Sequence, residues 1–366
     1  MPKKHLFTPH YRLTHSIVKA LMRIEATQKA VSLLPITGHM LAKLRETSRY
    51  QTVHYSTMIE GNRLTQEQVV EVIKKDQMIP GRERDEKEVR GYYKALEAVQ
   101  KYVAQNTPIT QDLIKTLHAL VIAGGKVKVK PSPYRESQNV IKESGSGRIV
   151  YMPPEAKDVP ELMQDLVAWI SEKKDTIPCP IIAAIAHYQF ATIHPYLDGN
   201  GRTARLLATL LVHQGGYDLK GIYSLDEYYA RDIQAYYDAL TIGPSHNYYM
   251  GREEADITQW VEYFCVGMAD AFDRVELRAR QAAQAGAQDQ TGILRELSKA
   301  QRQVLALFQE HALLTSNQIA QRFGIADRTA RNWCTKWVQE GFLEVAQPAR
   351  KGRMYRLAKK YEQLVT

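Results

Sequence analysis

The chain has 366 residues and a mass of 41.8 kDa, is 44% hydrophobic and 24% charged, and carries a formal charge of +9, which describes a folded protein of two or three domains. Its three cysteines, Cys179, Cys265 and Cys334, stand too far apart for a disulfide framework or a paired-cysteine zinc site. The N-terminus lacks an apolar signal core, and the most apolar stretch, from Ile181, is interrupted by His187, Gln189 and Thr192 and is too short to span a bilayer; no membrane contact and a reducing cytoplasm are expected.

An apolar period of 3.6 predicts helices over His15–Val31, Met40–Ile59, Gln66–Lys75, Glu86–Val103 and Gln111–Val121. Thr65 with Gln68 forms a capping box for the third of these. Gly61 closes the second, whose last turn carries Ser56 and Glu60 at i, i+4 on one face. A carboxylate at a helix C-terminus opposes the helix dipole, so Glu60 calls for a compensating cation.

The pattern breaks at Ser132–Pro154. Two β-prone runs, QNVIKE and RIVYM, flank a Ser-Gly-Ser-Gly turn, which predicts a hairpin embedded among helices. Such an exposed hairpin is suited to act as a lid or a docking edge. Helical signals resume over Asp158–Ser171, Ile181–Ile193, Thr203–Gln214, Glu227–Leu240 and Asp256–Arg278.

The most informative stretch joins two of those apolar helices: Ile193-His194-Pro195-Tyr196-Leu197-Asp198-Gly199-Asn200-Gly201-Arg202-Thr203-Ala204-Arg205. Gly199 and Gly201 permit backbone amides to approach a ligand closely, and the following helix N-terminus completes an anion nest. Arg202 and Arg205, three apart, add charge-assisted donors. Asp198 supplies hard oxygen suited to Mg²⁺ bridging phosphates. His194 titrates near neutrality and is placed to act as a base on whatever binds there. His187, two turns earlier, reads as a core histidine.

Ala279–Gly292, rich in alanine and glutamine, reads as a helix tail and linker, and a domain boundary is set there. Beyond it the charge concentrates: from Arg295 onward there are 13 lysines and arginines against 6 acids, a net of +7 of the chain's +9. Helices over Lys299–His311, Ser316–Phe323 and Asp327–Gln339 precede strands over Phe342–Val345 and Met354–Leu357, which flank a basic turn, Arg350-Lys351-Gly352-Arg353. This rhythm resembles a winged helix-turn-helix. Arg328, Arg331, Asn332 and Lys336 would then face DNA and the turn would touch phosphates.

The loop from His194 to Arg205 resembles the signature of Fic proteins, H-x-F-x-[D/E]-G-N-G-R-x-x-R, departing from it only at Tyr196. Similarity extends from about Ile36 to Phe264. The resemblance implies a mainly α fold with a β-hairpin flap, and transfer of AMP from ATP with Mg²⁺ to a Ser, Thr or Tyr hydroxyl of a target protein, the chain itself included. It makes His194 the general base and Asp198 the metal ligand. Gly199, Asn200, Gly201, Arg202, Thr203, Ala204 and Arg205 would bind the phosphates, with Tyr236 and Tyr237 at the nucleotide base and Tyr196 packed under the loop. Gly147, Arg148, Ile149, Val150 and Tyr151 match the flap strand that docks the target. Ser56 and Glu60 resemble the inhibitory motif [S/T]-x-x-x-E-[G/N], in which Glu60 would compete with the nucleotide for Arg205. The expected divisions are an N-terminal helical region over 1–110, a catalytic core over 111–278, a linker over 279–292 and the winged helix over 293–366; the sequence leaves the oligomeric state open, and the resemblance is compatible with a homodimer. The alternative reading is an ATP-sensing, DNA-binding transcriptional regulator built on the same core.

Overall fold

The computed structural model describes residues 7–365 other than 37, 77, 143–146, 244–245, 288–293, 295, 348–351 and 363. It divides into two units, one running up to Leu34 and from Lys43 to Arg278, the other comprising Pro35–Ala42 and the chain from Ala279 onward.

The first unit is built almost wholly from helices, of which the first residues of α2 and the last of α11 are counted with the second: α1 (His15–Leu33), α2 (Gly38–Ile59), α3 (Gln66–Lys74), α4 (Glu83–Ala104), α5 (Gln111–Ile122), α6 (Val159–Lys173), α7 (Cys179–Ile193), α8 (Asn200–Gln214), α9 (Asp226–Arg231), α10 (Ile233–Leu240) and α11 (Thr258–Ala287). The predicted capping box at Thr65 and Gln68 forms at the start of α3. The end of α2 is a Schellman motif: Asn62 donates its amide to the carbonyl of Thr57 and Gly61 to that of Met58, with Gly61 at φ +88°. That motif makes Glu60 the capping residue and fixes the direction in which its side chain leaves the helix.

The helix α7 is the central rod. Every residue from Pro180 to Phe190 is buried, as an element apolar on all faces requires, and Trp260 of α11 donates its indole N–H to the carbonyl of Ala184 at 2.7 Å. The helix α8 packs along α7, which leaves the loop 194–199 as the tight bend between them. An apolar cluster of Val53, Val69, Val72, Tyr92, Leu96, Leu117, Leu206 and Leu210 joins α2, α3, α4 and α5 to α8. A Cβ on Gly91 would meet the carbonyl oxygen of Val121 at 2.2 Å, so glycine is what lets α4 lie against the end of α5. The end of α2 is thereby fixed beside the first turns of α8.

Two features differ from the sequence expectation. The predicted helix over Glu227–Leu240 is two helices, since Asp232 leaves the helical conformation and its carboxylate caps the amide of Ala235. The helix tail expected from Ala279 runs as far as Ala287, the end of α11. The hairpin is shorter than its β-prone runs: β1 (Ile141–Lys142) pairs antiparallel with β2 (Ile149–Tyr151), with an irregular register between Ile141 and Lys142. Most of its Ser-Gly-Ser-Gly turn lies outside the described residues.

The second unit holds α12 (Lys299–Glu310), β3 (Leu314–Thr315), α13 (Ser316–Phe323), α14 (Asp327–Gln339), β4 (Leu343–Gln347), β5 (Met354–Leu357) and α15 (Lys359–Glu362). Its strands form an antiparallel sheet in the order β3-β5-β4. Val304, Phe308, Leu314, Ile319, Cys334, Trp337, Phe342, Leu343, Tyr355 and Leu357 make its own apolar core. Arg350 and Lys351 of the expected basic turn lie outside the described residues. Among the described residues, no helix is long and apolar enough to cross a membrane.

Candidate active site

The bend between α7 and α8 carries the predicted site residues. His194 caps α7 in the left-handed region, at φ 51° and ψ 59°. A residue with a Cβ pays for that conformation unless its surroundings impose it. Here they do. Its amide donates to Phe190 at 3.0 Å, and its carbonyl accepts from Arg135 Nε at 3.0 Å and from Asn139 Nδ2 at 3.4 Å. Its Nδ1 lies 3.2 Å from the carbonyl oxygen of Ala191. A carbonyl only accepts, so Nδ1 carries the proton and Nε2 keeps its lone pair. Burial pushes the imidazole down to about 4, against a smaller upward pull from the Ala191 carbonyl, so the ring is neutral at physiological pH.

Arg135 and Asn139 were not anticipated. Arg135 is buried, and its partners among the described residues are carbonyls: those of His194, of Ser137 at 3.1 Å and of Pro154. Its own amide donates to Pro195 at 2.9 Å. It thus ties the exit of the hairpin to the histidine turn. An arginine inside a Pro-Ser-rich loop looks like a solvated charge, and no sequence pattern distinguishes it.

Tyr196 lies under the loop, 3% exposed, its ring stacked on His118 with centroids 3.5 Å apart and planes 7° off parallel. Its hydroxyl has no hydrogen-bond partner among the described residues. Asn200 faces it, accepting from the Tyr196 amide at 3.0 Å and donating to its carbonyl at 2.8 Å, which closes the loop on itself. His118, also unanticipated, donates from Nε2 to the carbonyl of Asp198 at 2.9 Å. Burial holds its imidazole down, to about 4. A Cβ on Gly199, which sits at φ +78°, would press to 3.3 Å from that Nε2, so this glycine answers to both conformation and space.

The amides of Asn200, Gly201 and Arg202 precede the first intrahelical bond of α8, from Thr203 to the carbonyl of Gly199 at 3.0 Å. They point out of the positive end of the helix. Thr203 also donates its hydroxyl to Gly199 at 2.8 Å, and Ala204 is fully buried in the packing behind the loop. Asp198 is largely exposed; its Oδ1 accepts from the Gly199 amide at 2.6 Å and from Arg202 Nη2 at 3.1 Å.

Glu60 reaches this helix start from α2. A Cβ on Gly201 would lie 2.3 Å from Glu60 Oε1, so the carboxylate rests directly on the first turn of α8. The same oxygen accepts from Arg205 Nη2 at 2.9 Å. Arg205 is 2% exposed and has further partners: Nε donates to Ser56 Oγ at 2.8 Å, Nη2 to the Ser56 carbonyl at 2.8 Å, and Nη1 reaches Tyr236 Oη at 3.5 Å. Burial works against its charge, but the fields of Glu60, Tyr236 and Asp226 outweigh it and hold the guanidinium well above its usual range. The anion that opposed its own helix dipole is thus compensated twice, by Arg205 and by the dipole of α8.

The two tyrosines of α10 part company. Tyr236 is 1% exposed in an aromatic cluster with His187, Tyr229 and Trp260, its hydroxyl 3.0 Å from His187 Nε2. Tyr237 is 42% exposed and donates to the carbonyl of Ile59 at 3.3 Å. Successive helical residues differ by about 100° in direction, so one tyrosine packs inward and the other keeps a free face beside Glu60. His187 is the core histidine expected of it.

In the hairpin, Gly147 takes φ +69° ahead of the second strand. Ile149 is exposed, Val150 half-buried, and Tyr151 buried with its hydroxyl on the carbonyl of Thr192 at 2.9 Å. Arg148 is exposed. The hairpin is therefore fastened to the end of α7 through Tyr151, two residues before His194.

Residues 108–212 match the sequence pattern of the Fic/DOC family. They form a Fic domain. Among curated relatives, a protein adenylyltransferase Fic from Drosophila melanogaster is 29% identical over 201 residues, 54% of this chain and 39% of that protein. A Fic family protein from Desulfovibrio desulfuricans is similar in structure, with a TM-score of 0.58, 25% identity and coverage of 96% of this chain and 99% of that one. Fic-1 from C. elegans shares the fold at a TM-score of 0.59 and 23% identity, covering 74% of each chain. The chain spans about 39% of the length of the curated relatives it matches. The Fic domain takes in α5, the hairpin, α6, α7, the His194 bend and most of α8, while Glu60 comes to it from outside the matched residues.

Proposed function

We propose that the chain is a protein adenylyltransferase that moves AMP from ATP to a Ser, Thr or Tyr hydroxyl of a target protein, its own hydroxyls included, and that Glu60 restrains it. One observation carries this reading: a carboxylate is seated on the first turn of α8 and on Arg205 at 2.9 Å, which is where a terminal phosphate would find the same donors. The curated relatives named protein adenylyltransferase support the reaction class.

In this scheme the free amides at the start of α8, with Arg202 and Arg205, bind the phosphates, and Thr203 and Ala204 back the loop. Phosphoryl centres are handled chiefly by positioning and electrostatics. The target hydroxyl oxygen attacks the α-phosphorus, its proton passes to Nε2 of His194, and the bond to the bridging oxygen breaks to release pyrophosphate. Asp198 suits Mg²⁺: its carboxylate is exposed, only its Oδ1 has partners among the described residues, and one protein carboxylate is what a phosphate-bound Mg²⁺ needs. That ion would neutralise phosphate charge. Tyr237 offers the exposed ring for the base, and the flap from Gly147 to Tyr151 offers strand edges to the target segment. With Glu60 in place the γ-phosphate would meet a carboxylate already holding its donors.

The test is incubation of wild type and Glu60→Gly with α-labelled ATP, Mg²⁺ and cell lysate, followed by mass spectrometry of labelled proteins. Labelled AMP on protein hydroxyls in the variant supports the reading. Absence of label from both chains overturns it.

We further read residues 293–366 as a winged helix-turn-helix that contacts duplex DNA. In α14, Arg328, Arg331, Asn332 and Lys336 are all exposed on the face opposite Ala330, Cys334 and Trp337, the polar face a recognition helix presents. A salt-sensitive gel shift of duplex DNA by the full chain, lost in Arg328→Ala/Arg331→Ala, tests this.

A further inference from the structure

The guanidinium of Arg205 is held from two sides, and only one of them belongs to Glu60. On the Nη2 side stand Glu60 and the Ser56 carbonyl. On the Nε side the N–H goes to Ser56 Oγ, and a second carboxylate, Asp226, stands beside it as an ion pair, its Oδ1 3.2 Å from Nε and without a hydrogen bond of its own among the described residues. Asp226 opens α9 and is 2% exposed, against 26% for the Glu60 side chain. Glu60 therefore sits at the mouth, where it can leave into solvent, while Asp226 is sealed in. A buried carboxylate is kept only where a cation answers it; burial raises this one and the charge of Arg205 pulls it back.

We propose that Asp226 is a positioning residue that fixes the Nε side of Arg205, so that the guanidinium stays in place and exchanges partners, carboxylate for phosphate, on its Nη side alone. The inference rests on the reading of Arg205 as a phosphate ligand and goes beyond it. Without a second counter-ion, departure of Glu60 would leave a fully buried guanidinium uncompensated, and it would swing to find another acceptor. With Ser56 Oγ taking the Nε hydrogen bond and Asp226 supplying the opposite charge beside it, the side that Glu60 vacates still faces the start of α8. A planar fork so anchored favours a tetrahedral anion with several oxygens and gives nothing to a nucleotide that lacks the terminal phosphate.

Calorimetric titration of the full-length Glu60→Gly chain and of Glu60→Gly/Asp226→Asn, with AMP and with a non-hydrolysable ATP analogue in Mg²⁺, tests this. The added Asp226→Asn change should weaken the ATP analogue roughly tenfold, the loss of one well-placed charged contact, and leave AMP within about twofold. Equal loss of both ligands, or loss of neither, overturns it. If Asp226→Asn does not fold, as judged by thermal melting, Ser56→Ala in the same background removes the other grip on Nε. A selective loss of the ATP analogue there supports the inference, and a non-selective result overturns it. Failure of Glu60→Gly itself to bind the analogue would instead bring down the nucleotide reading on which the inference stands.

Discussion

Arg135 donates from Nε to the carbonyl oxygen of His194 at 3.0 Å, and His194 holds a left-handed backbone that few residues with a Cβ adopt. The two facts belong together. The arginine and Asn139 both donate to the His194 carbonyl, while the Ala191 carbonyl accepts the hydrogen bond from Nδ1. Replacing Arg135 by Met leaves three carbonyls short of a donor, and should destabilise the chain by about 1–3 kcal/mol, read from denaturant unfolding. Arg135→Lys should fold better and still transfer AMP more slowly, because an ammonium cannot span the carbonyls a planar fork reaches.

His194→Ala should lower transfer by ~10²–10⁴-fold, the usual worth of a general base. Nucleotide affinity should stay as it was, since the proposed scheme gives the histidine the acceptor's proton and leaves the phosphates to α8 and its arginines. Single-turnover assays with α-labelled ATP beside equilibrium binding separate the two. A parallel collapse of binding would deny His194 that role.

The pH dependence has a definite sign. The His194 imidazole is pushed down to about 4 by burial, so the base is already neutral well below the ordinary histidine range. In the Glu60→Gly chain, which lacks the upward pull of that carboxylate on the imidazole, transfer should rise with pH through a midpoint no higher than about 4 and be flat across pH 6–8. A midpoint near 6.5, the unperturbed value, would contradict it. His118 is likewise held at about 4. Both groups bind a proton more readily unfolded than folded. The stability they allow is fully present above about pH 6.5 and is lost as pH falls towards 4. Melting temperatures across pH 4–7 check the direction.

Glu60→Gly should raise transfer by about tenfold or more, since a charge-assisted bond of about 1.5–3 kcal/mol no longer competes with phosphate. The substitution should not unfold the chain: glycine is well tolerated at a helix end, and Gly61 retains the Schellman turn. Activity equal to wild type would mean that Arg205 is not the contested ligand.

Tyr196→Phe should leave transfer unchanged and stabilise the chain by up to about 1 kcal/mol. The ring keeps its stack on His118, and a buried hydroxyl without a partner among the described residues is removed. A marked loss of stability would show that the hydroxyl has a role.

The chain order of residues from His194 to Arg205 determined the bend. Two glycines between apolar helices dictate a turn that exposes amides, and the arginine spacing places both cations on the following helix; such rules act over a few residues and can be read locally. The end of α2 was legible in the same way, because Gly61 can close a helix wherever it lies. Local rules stop there. That Glu60 meets Arg205, 145 positions later, follows from an apolar cluster shared by α2, α4, α5 and α8, and side chains that meet only through packing leave no periodic trace. The same holds for Arg135, whose three carbonyl partners come from separate turns, and for Asp226, which reads as an ordinary acid in a first helical turn until burial sets it against Arg205. The inward Tyr236 and outward Tyr237 differ by one residue in sequence, and only the position of the core decides which is which.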